Sequence, residues 1–132
     1  MNNTVRVIII DDHEMVLQGL EALLSAQIGI HVIGTFTNGI DAINNYQNLE
    51  PDIVLSDINM PIINGFETAE RLYKLDDKVR IILISMEKKS AYLGKAKDEG
   101  ISGYISKTAP IESVVEVIQK VYAGEKCFEP LV

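Results

Sequence analysis

The sequence predicts an α/β domain in which helices cover both faces of an open, doubly wound parallel sheet. Short β-branched apolar runs alternate five times with stretches whose apolar residues recur at helical spacing, which is typical of such sheets. The 132 residues are 47% apolar, with a mean hydropathy of +0.13, which is enough material for one core. No low-complexity stretch or internal repeat interrupts the alternation, so we expect one compact domain.

The first predicted strand and helix lie before residue 30. The run Val5–Ile10 is apolar at nearly every position, as in a strand buried on both faces, and it stops at Asp11 and Asp12. The apolar residues that follow at helical spacing are Leu17, Leu20, Leu23, Leu24 and Ile28. Gly29 is of the residue type that commonly follows a helix, so we expect this helix to end there.

Two further strand–helix pairs are predicted in the middle of the chain. Residues 31–36 and Ile53–Asp57 are the strands, residues 40–49 form the helix between them, and Pro61 lies in the loop before the next helix. The residues of these two helices expected to face the core are Ile40, Ile43, Tyr46, Phe66, Ala69, Leu72 and Tyr73.

The last third of the chain continues the alternation. Residues 79–85 form the most apolar strand, and residues 88–99 form the least apolar helix, which we expect to be the most exposed and mobile. A short strand at 102–106 precedes a helix that begins near Pro110 and ends at Gly124. The lysines of the fourth helix are Lys88, Lys89, Lys95 and Lys97, and the apolar residues of the fifth are Ile111, Val114, Val115, Ile118 and Val121.

Charge and cysteine content exclude several classes of protein. The 19 Asp+Glu outnumber the 12 Lys+Arg, and the net charge of −7 argues against nucleic-acid binding by these residues. The longest apolar run, residues 7–10, is too short to cross a bilayer, and the N-terminus lacks a secretory signal pattern. The single cysteine, Cys127, excludes an internal disulfide and a cysteine-based zinc site. We therefore expect a cytoplasmic protein.

Polar residues stand where four of the predicted strands end. They are Asp11 and Asp12 after the first strand, Asp57 after the third, Ser85 after the fourth and Lys107 after the fifth. In doubly wound sheets, ligands bind beyond the carboxyl ends of the strands. Carboxylates brought together there repel one another, so a divalent cation is expected, and Mg²⁺ suits carboxylate, carbonyl and water ligands.

The same residues carry a resemblance to the receiver domain of two-component response regulators. Asp11-Asp12 after an apolar strand, Asp57 before a proline-containing loop with Gly65, then Ser85 and Lys107, match the receiver pattern in order and approximate spacing. The resemblance covers essentially the whole chain and implies a flavodoxin-like sheet with strand order 2-1-3-4-5.

Further motifs resemble the NarL/FixJ (LuxR-type) subgroup of receivers. They are Asp11-Asp12-His13, Gly19-Leu20, Leu23-Leu24 and Ala123-Gly124. The subgroup resemblance implies a receiver at residues 1–124, the start of a linker at 125–132, and a helix-turn-helix output domain that these residues do not contain. Transcription regulation is then the expected output, and a single-domain regulator that acts by protein contact is the alternative.

The resemblance also implies roles for individual residues. Asp57 accepts a phosphoryl group from a sensor histidine kinase, and Lys107 pairs with the phosphoryl oxygens. Asp12 binds Mg²⁺ directly, Asp11 binds it through water, and Asp57 and the backbone carbonyl of Asn59 complete the protein's ligands. A receiver is a switch and not a turnover enzyme, and it allows a homodimer to form on phosphorylation.

The resemblance implies roles for four more residues in switching and in dephosphorylation. Ser85 moves toward the phosphoryl group, and Tyr104 moves from an exposed to a buried rotamer. Asn59 and Glu87 flank the path of the hydrolytic water, and because both are polar, rapid self-dephosphorylation is expected. Receivers often place proline directly after the lysine, but Thr108 follows Lys107 here, so a trans peptide is favoured at that bond.

Three other classes use similar scaffolds. A nucleotide or flavin binder needs a glycine-rich loop after the first strand, where this chain has Asp11-Asp12. An aspartate-nucleophile phosphohydrolase needs Asp-x-Asp there, and this chain reads Asp-Asp-His. An interaction module that kept only the scaffold has no need for the five site residues. We interpret His13 as a residue that begins the first helix, because two histidines without nearby cysteines do not indicate zinc.

Overall fold

The computed structural model describes residues 4–86 and 90–128, which form one parallel sheet flanked by helices. The strands are β1 (Val5–Ile10), β2 (Ile30–Phe36), β3 (Ile53–Asp57), β4 (Ile81–Ser85), β5 (Gly103–Ser106) and β6 (Cys127–Phe128). The helices are α1 (Glu14–Ser25), α2 (Gly39–Leu49), α3 (Gly65–Leu75), α4 (Ser90–Asp98) and α5 (Ile111–Tyr122).

The order of the strands in the sheet is β2-β1-β3-β4-β5-β6, and every neighbouring pair is parallel. The predicted order of the first five strands is confirmed. The short sixth strand was not predicted: it lies in the stretch interpreted as the start of a linker, where Cys127 pairs with Gly103 and Phe128 with Tyr104. The sheet reverses its direction of growth between β1 and β3, and doubly wound sheets bind ligands beyond the carboxyl ends of the strands at this point.

The core has two layers, one on each face of the sheet. Successive strand residues point to opposite faces, so Ile9 packs toward α1 and α5, whereas Ile8 packs toward α2, α3 and α4. This division explains why the central strands are apolar throughout: both of their faces are covered. Because the strands are parallel, their carboxyl ends lie at one edge of the sheet, where the candidate site is located.

The prediction for the end of the first helix is wrong at two residues. Leu23 is 52% exposed and Ile28 is 98% exposed. Successive residues of a helix are rotated by about 100° around its axis. Leu17 and Leu24, seven residues apart, therefore share the buried face, whereas Leu23 points away from this face. The helix ends at Ser25, so Ile28 lies in the turn before β2 instead of on the helix.

The other helices follow their predicted stripes, with small differences. Ala42 in α2 and Val117 in α5 are buried, although they were not predicted to face the core. In α4, Ala96 is the one buried side chain among those described, which confirms the expected exposure of this helix. Within residues 4–86 and 90–128, no helix is long and apolar enough to cross a membrane.

Candidate functional site

The carboxyl ends of β1, β3 and β5 bring two carboxylates and one ammonium into contact. Nζ of Lys107 lies 2.8 Å from Oδ2 of Asp11 and 3.1 Å from Oδ2 of Asp57. All three side chains are at least nine-tenths buried. Parallel strands that end at one sheet edge place the residues at their carboxyl ends side by side. Asp57 therefore shares one ion-pair network with Asp11, 46 positions before it, and Lys107, 50 positions after it.

Burial and charge act in opposite directions on this network. Burial raises the pKa of Asp57, and the neighbouring charge of Asp11 raises it further, while Lys107 acts to lower it. Burial alone would lower the pKa of Lys107, but its hydrogen bond with Asp11 and the charge of Asp57 raise it overall. Lys107 therefore stays protonated and is shared between two buried carboxylates.

A third carboxylate adds to the negative charge. One ligand atom from each of Asp11, Asp12, His13 and Asp57 lies within 4.8 Å of the others. Oδ1 of Asp12 is buried and accepts no hydrogen bond from the described residues. Three carboxylates against one ammonium favour a bound cation, and oxygen donors of this kind fit Mg²⁺.

The backbone around Asp57 positions its two carboxylate oxygens differently. The amide of Ile58 donates a hydrogen bond of 2.8 Å to Oδ1, which leaves Oδ2 facing Lys107. Gly65 begins α3 beside this point, and a Cβ there would lie only 2.3 Å from the backbone oxygen of Asp57. A glycine is therefore required for the helix to start this close to the site.

Ser85 lies at the predicted place, at the end of β4 beside Ser106 of β5. It is 1% exposed, and its carbonyl accepts a hydrogen bond of 2.9 Å from the amide of Lys107. Tyr104 is 2% exposed and packs in the core layer on the α2–α4 side of the sheet. The structure thus shows Tyr104 in a buried position, and its predicted movement stays a prediction.

Asn59 lies at the edge of the site and is exposed. Its Oδ1 accepts a hydrogen bond of 3.4 Å from the hydroxyl of Tyr92 in α4, a contact that was not predicted from the sequence. Glu87 lies outside the described residues, as do Lys88 and Lys89. No peptide bond in the described parts of the chain is cis, so the bond after Lys107 is trans.

His13 makes contacts that sequence reasoning did not predict. It begins α1, as expected, but its Nδ1 also lies 3.3 Å from Oδ1 of Asp12 and 3.4 Å from Oδ1 of Asp11. The available signal was its position directly after two aspartates at a strand end.

Comparison with known families agrees with this geometry. The sequence profile of the family described as "Response regulator receiver domain" matches residues 7–119. The chain belongs to this family. Receiver domains are signalling switches and not turnover enzymes. The Asp11, Asp12 and Asp57 cluster is consistent with the Mg²⁺ site of a receiver.

Similar proteins place this receiver among NarL/LuxR-type regulators. The chain is 35% identical over 128 residues to the response regulator protein VraR of Staphylococcus epidermidis, covering 96% of this chain and 60% of VraR. It is 35% identical to the transcriptional regulatory protein LnrK of Bacillus subtilis, covering 96% of this chain and 57% of LnrK. The crystal structure of a LuxR-family response regulator from Aurantimonas sp. SI85-9A1 superposes with a TM-score of 0.91 at 30% identity, covering 96% of this chain and 91% of that one.

The chain spans 60% or less of the length of these two sequence relatives.

Proposed function

We propose that Asp57 accepts a phosphoryl group from a phosphohistidine of a sensor histidine kinase, in a reaction that depends on Mg²⁺. The observation that carries this proposal is the buried contact of Lys107 with both Asp11 and Asp57. A buried ammonium shared by two carboxylates is suited to receive a phosphoryl dianion, because the incoming group supplies charge that the ammonium then binds.

The two oxygens of Asp57 have different roles in this reaction. Oδ1 is held by the amide of Ile58, and Oδ2 faces Lys107, so Oδ2 is the attacking atom. A bond forms between Oδ2 and phosphorus while the phosphorus–nitrogen bond of the phosphohistidine breaks, and the electron pair leaves with the imidazole. Lys107 then donates hydrogen bonds to the phosphoryl oxygens.

Asp12, Asp57 and the backbone carbonyl of Asn59 would hold the Mg²⁺ ion, and Asp11 would bind it through water. When bound, the ion neutralises charge on the carboxylates and the phosphoryl group. The buried oxygen of Asp12 supports its role as a direct ligand, because this atom accepts no hydrogen bond within the described residues.

The acyl phosphate changes the switch residues next. Ser85 moves to donate to a phosphoryl oxygen, and Tyr104 and α4 adjust to it as the balance between two arrangements shifts. The position of Ser85 supports this role: it ends β4 beside β5, and its carbonyl accepts a hydrogen bond from the amide of Lys107.

We infer transcription regulation as the output, through a DNA-binding domain that follows residues 125–132 in the whole protein. Support comes from LnrK, which is named a transcriptional regulatory protein and of which the chain covers 57%. The described residues are acidic overall, so DNA contact is assigned to that further domain and not to the receiver. The protein is proposed to act in the cytoplasm and to dimerise when phosphorylated.

The test is phosphorylation of the 132-residue chain by a small-molecule phosphodonor, with and without Mg²⁺. Intact-protein mass spectrometry should show one added phosphoryl group that hydroxylamine removes. Asp57→Asn should abolish it, Asp12→Asn should abolish its dependence on Mg²⁺, and the exposed control Asp98→Asn should change neither. Full labelling of Asp57→Asn contradicts the proposal, and continuous release of phosphate favours a phosphohydrolase instead.

A further inference from the structure

The imidazole of His13 lies against the acidic cluster, although the receiver pattern assigns it no part there. Nδ1 is 3.3 Å from Oδ1 of Asp12 and 3.4 Å from Oδ1 of Asp11. The side chain is 67% exposed, so the core does not force it into this position. One edge of the ring therefore faces the carboxylates, and most of the ring remains in solvent.

The backbone of His13 is fixed on both sides. Its amide donates a hydrogen bond of 2.9 Å to Oδ1 of Asp11, and its carbonyl accepts one of 2.9 Å from the amide of Leu17 in the first turn of α1. The root of the side chain is thus held at a constant distance from the cluster, and only the side-chain torsions of His13 adjust the ring.

The atoms nearest to Nδ1 are those expected around a shared cation. An imidazole nitrogen without a proton and a carboxylate oxygen are both electron-pair donors, and a cation between them satisfies both. Donors about 2.1 Å from one ion and at right angles to each other lie about 3 Å apart. The separations at His13 are close to this value, and Oδ1 of Asp12 is the buried oxygen that accepts no hydrogen bond in the described residues.

We propose that His13 is an additional, nitrogen ligand of the metal site, so that the receiver binds imidazole-preferring divalent transition metals as well as Mg²⁺. This inference rests on the proposed metal site of Asp12 and Asp57. All-oxygen sites suit Mg²⁺, whereas imidazole favours ions later in the first transition row, with which it forms stronger bonds. His13 thereby sets the metal selectivity of the site, while its carboxylates bind either class of ion.

The experiment compares Co²⁺ and Mg²⁺ binding to the tag-free chain by calorimetry, together with ¹H NMR of the Co²⁺ form. A ring bound to Co²⁺ has strongly shifted proton signals. The chain contains 2 histidines, and the second, His31, is exposed on β2, so a shifted imidazole signal has few possible sources. His13→Gln removes the nitrogen ligand, and His31→Gln is the matched control.

We expect His13→Gln to weaken Co²⁺ binding by about tenfold or more, since loss of even an outer partner of a metal ligand has effects of 10- to 100-fold. Mg²⁺ affinity should change less than about twofold, which also shows that the variant is folded. The shifted imidazole signal should disappear in His13→Gln and persist in His31→Gln.

Two results overturn the inference. Co²⁺ binding without a shifted imidazole signal in the wild-type chain means an all-oxygen site, and equal loss of Mg²⁺ and Co²⁺ affinity in His13→Gln means that His13 only positions the carboxylates. In both cases the proposed phosphotransfer function stands. If neither ion binds and phosphorylation of Asp57 is independent of metal, both the inference and the proposed Mg²⁺ dependence fail.

Discussion

The hydroxyl of Tyr92 in α4 donates a hydrogen bond of 3.4 Å to Oδ1 of Asn59, two residues after Asp57. The ring of Tyr92 also packs against Phe66 in α3, with centroids 6.1 Å apart. Asn59 is exposed and lies in a loop, so this bond is a direct link between α4 and the edge of the site. It connects the helix expected to respond to phosphorylation with a residue expected to control how long the phosphoryl group persists.

The first prediction concerns the lifetime of the acyl phosphate. We expect the polar side chain of Asn59 to admit water in line with phosphorus, so Asn59→Met should slow self-dephosphorylation by about tenfold, the rate equivalent of about 1.4 kcal/mol. Tyr92→Phe removes the donor that orients Asn59 and should change the rate by about two- to fivefold, consistent with one hydrogen bond of about 1 kcal/mol. Loss of phosphate from the purified domain is the measurement.

The control for that series is Tyr73→Phe. The hydroxyl of Tyr73 donates a hydrogen bond to the carbonyl of Gly100 and not to Asn59. The acyl phosphate of Tyr73→Phe should have the same lifetime as that of the wild type. Glu87→Leu tests the other expected position, which lies outside the described residues. Unchanged lifetimes in Asn59→Met, Tyr92→Phe and Glu87→Leu would mean that these side chains do not set the rate.

The site residues were accessible from the sequence because each stands directly after an apolar strand. That pattern located Asp11, Asp57 and Lys107 correctly, and the structure places them in contact. No comparable sequence pattern predicts the contacts that side chains of the helices make with residues at the sheet edge. The positions of His13 and Tyr92 depend on how α1 and α4 pack, which periodicity alone does not specify.

The same limit applies to the fold. Apolar runs and helical spacing of apolar residues predicted the five main strands and their helices. β6 has only two residues, too few to show such a pattern. Its backbone is held by tertiary contacts: the amide of Cys127 donates to the carbonyl of Ser102, and Nζ of Lys126 donates to that of Gly100, both at 2.9 Å. The prediction that Leu23 is buried was wrong for a related reason. A leucine-rich helix has two neighbouring apolar stripes, and packing decides which of them is buried.

The second prediction is a pH dependence of stability. The pKa of Asp57 is raised in the folded chain, chiefly by burial, so the folded state holds this proton more tightly than the unfolded state does. The free energy of unfolding therefore falls as pH rises from the unfolded pKa through the folded one, and the cost of the buried charge is fully present above it. In the absence of metal, Asp57→Asn should raise the stability at pH 7 and have a smaller effect in acid.

Urea unfolding of the wild type and of Asp57→Asn between pH 4 and 7 measures this difference. Asp98→Asn, at an exposed position in α4, gives the background effect of removing a carboxylate. A benefit of Asp57→Asn that is equal at both ends of the range would contradict a charge origin.

The third prediction concerns the loop between β3 and α3. Ile62 has a φ of 74°, and the amide of Ile63 donates to the carbonyl of Pro61 at 2.9 Å, so the three residues form a γ-turn with a β-branched residue at its left-handed centre. Ile62 is 78% exposed, so its side chain gains little from burial. Ile62→Gly should raise the free energy of unfolding by about 0.5–1 kcal/mol, because relief of strain exceeds the entropy that glycine adds to the unfolded chain.

Ile28→Gly is the matched control, since Ile28 is 98% exposed but does not have a positive φ. It should be neutral or destabilising, because glycine there only increases the freedom of the unfolded chain. Equal effects of the two substitutions would show that the turn stores no strain.

The last prediction concerns the attachment of β6 to the rest of the domain. Phe128 packs on the α2–α4 side of the core, and Nζ of Lys97 in α4 lies 5.4 Å from the centre of its ring. Phe128→Ala should lower the free energy of unfolding by about 1–2 kcal/mol, less than for a fully buried phenylalanine because this ring is half-buried. It should also speed hydrogen exchange of the Cys127 amide, which donates a hydrogen bond to the carbonyl of Ser102, just before β5. Lys97→Met removes only the cation and should cost about 0.5 kcal/mol. Wild-type exchange at Cys127 in Phe128→Ala would mean that strand pairing, and not the ring, holds this segment.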